Sequence, residues 1–125
     1  MILDTHALIW WLRDDARLSA RARDGIRQAP RALVSTASAW EIAKSQRVGK
    51  LAFRSWDPAS LPELLGIAGF EVLPVSLEHG LEAGRLAGPL ADPFDRILVA
   101  QCRVERLPIV SRDPIFREYG VDVIW

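Results

Sequence analysis

The 125-residue sequence predicts a single domain, residues 1–125, of the α/β class: a mostly parallel sheet with helices on both faces. Three observations carry this reading. Short apolar runs alternate along the whole chain with longer stretches whose apolar positions recur at helical spacing. Aspartates follow closely on two of those runs, Asp4 after Met1-Ile2-Leu3 and Asp113 just past Ile109-Val110, where a parallel strand hands over to a helix. The run from Pro108 to Val110 shows no polar alternation, the pattern of a strand buried on both faces.

Taken in order, Met1 to Leu3 is the first strand, and His6 to Arg13 follows as a helix with apolar residues at Ala7, Leu8, Trp10, Trp11 and Leu12. Asp4 stands between them, and two roles suit it equally: helix cap, or ligand at the edge where open α/β sheets bind their ligands. Ser19 to Gln28 reads as a more polar helix whose Arg21, Arg23 and Arg27 face solvent. Arg31 to Ser35 is a second strand, after which Thr36 or Ser38 caps a third helix that Gly49 ends. One turn before Glu41, Ala37 and Ser38 are small enough to bring this helix against the sheet, holding Glu41 near the sheet edge; a lone surface glutamate is the competing reading. Residues 50–62 are irregular, with turn and cap signals at Asp57-Pro58 and Ser60. A helix from Leu61 to Ala68 stops at Gly69, and Phe70 to Val75 is a third strand with Pro74 at its far end. Ser76 caps a helix through about Leu86, which Gly88-Pro89 breaks. Asp92 caps the next, running to about Glu105 with Pro93 in its first turn. Pro108 to Ser111 is the fourth strand, Asp113 caps a short helix to Tyr119 that Gly120 stops, and Val121 to Trp125 is a terminal edge strand.

Half of the residues are apolar and the formal net charge is zero, so a broad phosphate-binding surface is disfavoured and nucleic-acid contact is confined to local patches. All sixteen basic residues except Lys44 and Lys50 are arginine. That bias suits bidentate carboxylate and phosphate contacts, and a GC-rich genome would produce it equally well. The single Cys102 has no partner for an internal disulfide and lies on an apolar helix face, as a buried thiol in a reducing compartment does. With no charged-then-apolar leader, and no run near the roughly 20 apolar residues of a membrane span, the expected location is the cytoplasm, without membrane contact.

The helix that Asp92 opens places Asp95 on one face with Leu98, Val99 and Cys102. A carboxylate at the head of a core-facing stripe needs a partner, or it takes up a proton. Asp4 and Asp113 lie at strand carboxyl ends, and in a right-handed crossover fold helices begin at that same edge. Glu41, Asp92 and Asp95 are therefore expected to meet them in one crevice. Converging carboxylates repel, and a cation is the chief means of holding such a cluster together at neutral pH. An all-oxygen set points to Mg²⁺, or Mn²⁺, ahead of Zn²⁺. His6 and His79 fit no ligand pattern and read as packing or surface residues. With no Gly-rich nucleotide loop, nucleophile elbow or CxxC, the chemistry that fits is attack of metal-activated water on a substrate that brings its own phosphate.

Four segments together resemble the PIN-domain nucleases, specifically the VapC-type toxins of bacterial toxin-antitoxin pairs. They are Leu3-Asp4-Thr5-His6-Ala7-Leu8-Ile9-Trp10, Ser38-Ala39-Trp40-Glu41-Ile42-Ala43, Asp92-Pro93-Phe94-Asp95-Arg96, and Val110-Ser111-Arg112-Asp113-Pro114-Ile115-Phe116 with Tyr119-Gly120-Val121. The match follows the family's order over nearly the whole chain. It implies a PIN-like three-layer α/β/α sandwich and a Mg²⁺-dependent endoribonuclease. Asp4, Glu41, Asp95 and Asp113 match the family's acidic quartet, both metal-binding and catalytic. Asp92 matches a further aspartate of this subgroup, for which capping is the better explanation. The resemblance also implies an RNA substrate, a small antitoxin protein that covers the site, and a homodimer.

Two positions depart from the pattern. Lys44 stands three residues after Glu41, with Ser45 at the fourth place where similar proteins often have lysine, and Leu90-Ala91 precedes Asp92 where they often carry histidines. Both departures bear on substrate contact more than on metal binding. Arg96 and Arg112 are the candidates for holding RNA phosphate, with ion pairing to the acidic cluster as the alternative. Two rival functions remain: a PIN-like RNA- or protein-binding module without catalysis, and a phosphohydrolase acting on a small phosphate ester through a pocket of backbone amides. Five tryptophans are more than a core of this size needs, which makes Trp10, Trp11, Trp56 and Trp125 candidates for interfaces, with internal packing as the alternative.

Overall fold

Successive residues of a strand point to opposite faces of a sheet, and the inner strands here are apolar at each position except Ser35, which ends the second. The computed structural model describes residues 1–49 and 57–125. Its strands β1 (Ile2–Leu3), β2 (Leu33–Ser35), β3 (Glu71–Leu73), β4 (Ile109–Val110) and β5 (Val123–Ile124) form one parallel sheet in the order β3-β2-β1-β4-β5. Ile2 is in register with Leu33 and Ile109, and Leu3 with Val34 and Val110, so the two rows sort onto opposite faces. The row of Leu3, Val34 and Val110 packs against α1 (Thr5–Leu12), α2 (Ala20–Gln28), α3 (Thr36–Arg47) and α4 (Leu61–Ala68) through residues such as Leu8, Ile26, Ile42 and Leu65. The other row packs against Leu86, which follows α5 (Leu77–Arg85), Leu98, Val99 and Cys102 of α6 (Pro93–Glu105), and Phe116 of α7 (Ile115–Glu118). Two cores separated by the sheet make the three-layer sandwich.

Local chemistry sets the element ends. Asp4 Oδ1 accepts the Ala7 N–H at 2.6 Å and starts α1, and Ser19 does the same for α2. The cap of α3 is Ser35, whose Oγ accepts the Ala37 N–H at 3.0 Å, and not Thr36 or Ser38. Those two hydroxyls are used elsewhere: Thr36 accepts the Val75 N–H, and Ser38 is buried beside Thr5. β3 covers only Glu71–Leu73, because Pro74 has no N–H to extend a ladder. The irregular stretch read over residues 50–62 lies partly outside the described residues. From Pro58 a 3-10 turn, Pro58–Ser60, leads into α4.

His79 is a packing residue: its Nδ1 accepts the Ser76 N–H while its N–H bonds to Ser76 Oγ, and Nε2 lies 2.8 Å from Glu105 Oε1 across α5 and α6. Cys102 is buried, which pushes its thiol up to about 12. Trp10 packs against Trp125 and Trp11 against Phe70, so these rings are largely spent on the core; Trp56 lies outside the described residues. Among the described residues the exposed tryptophan is Trp40, 63% accessible. Among the described residues no helix is long and apolar enough to cross a membrane.

Candidate active site

From β1 the chain moves outward to β2 and β3, then returns to β4 on the other side of β1 and ends at β5. Strand order therefore reverses between β1 and β4, and the crevice of such a sheet opens beyond the carboxyl ends of those two strands. Asp4 follows β1 directly, and Asp113 follows β4 by three residues. α6, which feeds β4, begins at the same edge with Asp92 and Asp95.

Asp4 caps α1 and lines the crevice. Burial raises its pKa, Glu41's charge adds to that, and hydrogen bonds from the Ser111 hydroxyl and the Ala7 N–H pull the other way. Ser111, fully buried, also accepts the Asp113 N–H at 3.0 Å, so one hydroxyl joins the Asp4 carboxylate to the backbone that carries Asp113. Glu41 is held at the sheet edge by α1: Thr5 Oγ1 donates to Glu41 Oε2 at 2.5 Å and lies 3.1 Å from Ser38 Oγ. Asp113 is exposed, and its Oδ1 accepts the Ile115 N–H at 2.9 Å; the N-cap of α7 is Pro114, without a side-chain cap bond, and not Asp113 as the sequence suggested. Asp92 accepts the Asp95 N–H at 2.9 Å, the cap read from the sequence.

Asp95 reports how these groups are arranged. Its carboxyl is pushed up to about 7 by burial first, then by the charges of Asp92, Glu41, Asp113 and Asp4. Carboxylates from four separate stretches of chain thus share one electrostatic neighbourhood. Among the described residues, however, no three Asp, Glu, His or Cys side chains are closed around a common point as metal ligands are. Asp4, Glu41 and Asp113 are each turned to a hydrogen-bond donor of their own. By donor chemistry the set fits a hard divalent ion: all-oxygen, anionic and partly dehydrated.

Arg96 corrects the sequence reading. Its guanidinium donates to the carbonyls of Ala83, Leu86 and Leu90 at 3.1, 2.6 and 2.5 Å, so it fastens the loop between α5 and α6 instead of lining the crevice. Tyr119 Oη accepts the Leu90 N–H in the same loop and lies where a side chain on Gly88 would collide with it; Gly88 has φ +96°. Arg112 is exposed and borders a cavity of about 390 Å³ with Asp4, His6, Trp10 and Asp113. Sequence reasoning missed Thr5, Ser38 and Ser111. Each is a small hydroxyl residue within two positions of a strand end or one turn from an acid, and nothing in the residue type alone marks it as a partner of a carboxylate.

An acid-lined crevice opens at the switch point of this five-stranded parallel sheet. The chain belongs to the PIN domain family, whose model matches residues 1–122. Its fold is similar to a chain in the crystal structure of VapBC2 from Rickettsia felis bound to a DNA fragment from their promoter, with a TM-score of 0.70 at 13% identity over 98% of this chain and 95% of that one. It is also similar to a chain of FitAcB from Neisseria gonorrhoeae, TM-score 0.69, and of DNA-bound VapBC from Salmonella typhimurium, TM-score 0.64, each at 18% identity over 98% of this chain and 94% of the other. No curated protein sequence matches significantly.

Proposed function

We propose that the chain is a Mg²⁺-dependent endoribonuclease, with Mn²⁺ able to serve in place of Mg²⁺, and the toxin of a toxin-antitoxin pair. The observation that carries this reading is the mutual influence of Asp4, Glu41, Asp95 and Asp113 at the sheet's switch point in a chain of the PIN family. A bound divalent ion would supply activated water and charge neutralisation at a phosphodiester. The four carboxylates would hold it, and the protein's own part is to keep them oriented. Thr5 fixes Glu41, Ser111 fixes Asp4 and the Asp113 backbone, and the Asp92 cap fixes the first turn that carries Asp95. Arg112, beside Asp4 and Asp113, is the candidate for an RNA phosphate. The fold shared with chains of VapBC complexes supports a partner antitoxin that covers the crevice; a homodimer in the cytoplasm completes the proposal.

The test is incubation of purified protein with total cellular RNA, with and without Mg²⁺, and mapping of new ends. Cleavage that requires Mg²⁺ and disappears in Asp95→Asn, with the fold retained, is the expected result. Full cleavage by that variant would remove Asp95 from the mechanism. RNA bound but left uncut with either ion would favour the non-catalytic binding module.

A further inference from the structure

Resting on the ribonuclease reading, we propose that the two cavities on either side of the His6–Trp10 ring pair are nucleotide subsites. Each takes the base and sugar of one nucleotide of a single-stranded RNA, and the phosphate between them lies over the acidic cluster. The first cavity, about 510 Å³, contains Glu41 and Asp92 in its lining, and the second, about 390 Å³, contains Asp4 and Asp113. His6 and Trp10 line both, with ring centroids 5.8 Å apart, so this ridge divides them. Both volumes fall within the roughly 300–1,000 Å³ of small-ligand sites.

Each cavity offers what a nucleotide presents. In the first, the buried Phe94 and Trp10 rings form the floor, with Lys44 Nζ 5.5 Å and the Arg17 guanidinium 5.4 Å from their centroids; the ring open to a stacking base is the exposed His6, which borders both cavities, and Arg112 lies in the second. Bases are uncharged π surfaces that stack on such a ring, while cations at the rim take the flanking phosphates. An apolar helix from a protein partner would seek a continuous apolar face; among the described residues the most exposed aliphatic side chains, Ile67 of α4 and Leu77 of α5, line neither cavity, and Val48 alone of the exposed apolar residues borders the first. Mixed aromatic and cationic walls opening onto one acidic cluster favour RNA.

The experiment uses an RNA whose cleavage site has been mapped and protein carrying Asp95→Asn to prevent cutting, with affinity read by fluorescence anisotropy at two salt concentrations. Adding His6→Ala should weaken binding about tenfold. Adding Lys44→Ala should lower the slope of log affinity against log salt by about 0.7, and Lys44→Arg should restore it. An abasic residue beside the cleavage site should cost the parent the same factor as His6→Ala, and should cost the His6→Ala protein little more. Arg31→Ala, at the β3 edge in an ion pair with Glu71, should change nothing beyond a general salt effect. Unchanged affinity and slope for both cavity variants would overturn the subsites, as would loss of a co-purified protein partner without loss of RNA binding. In either case Mg²⁺-dependent cleavage by the unmodified protein would leave the ribonuclease reading standing. Absence of that cleavage would remove the reading itself.

Discussion

Two neighbouring residues of α6, Asp95 and Arg96, show what a sequence gives up easily and what it withholds. Asp95 was legible because a carboxylate is out of place on a stripe with Leu98, Val99 and Cys102, and such a misfit demands a reason. Its carboxyl lies at about 7 against an ordinary 3.8, so between those values the folded protein holds a proton that the unfolded chain has released. The metal-free protein should therefore lose stability as pH rises through that window and level off above it. Asp95→Asn should flatten the dependence and melt higher than the parent at pH 8, by a margin that shrinks towards pH 4; parallel melting curves at both would show that Asp95 carries no such cost. Arg96 lies about 100° further round the helix, away from the crevice. Its partners are three backbone carbonyls, one in α5 and two in the segment after it, which no residue type announces. Arg96→Lys should cost about 2 kcal/mol in denaturant unfolding, because an ammonium cannot span the three acceptors a guanidinium fork reaches.

At the level of elements, the ends that local chemistry decides were legible: α4 stops at Gly69, and Asp4, Ser76 and Asp92 cap the helices their positions suggested, since the geometry of a first turn is a local matter. The cap of α3 was misplaced because Thr36 and Ser38, the candidates read from the sequence, and Ser35, read as the last strand residue, all carry a hydroxyl, and only tertiary contacts to Val75 and Thr5 decide which is left for the cap. Asp92 gives a prediction at this scale. Asp92→Asn, still a competent cap, should preserve stability and reduce cleavage less than Asp95→Asn does, whereas Asp92→Ala should cost about 1 kcal/mol. If Asp92→Asn proves as damaging to cleavage as Asp95→Asn, the residue acts in the crevice and capping is not its main role.

For the whole molecule, the class of fold was legible from alternation and the convergence of acids from a rule of handedness, without knowledge of strand order. The order β3-β2-β1-β4-β5 depends on which strand the chain returns to after β3, a long-range choice that periodicity does not encode. It is this return to β4 that sets Asp113 beside Asp4 and brings α6 to the same edge. Asp95 feels the charges of Asp4, Glu41, Asp92 and Asp113, though among the described residues these carboxylates do not close on a common point, while the hydroxyls that hold them, Thr5 and Ser111, were invisible as functional residues because each is small and ordinary where it stands. The central claim, that these carboxylates together take one kind of ligand, is tested most directly by calorimetric titration of Mn²⁺ or Mg²⁺ into the purified protein and into Asp95→Asn. The account predicts saturable binding to the first, accompanied by proton release near pH 6, and binding at least about tenfold weaker to the second. Identical isotherms for the two proteins, or no binding to either at millimolar ion, would contradict it.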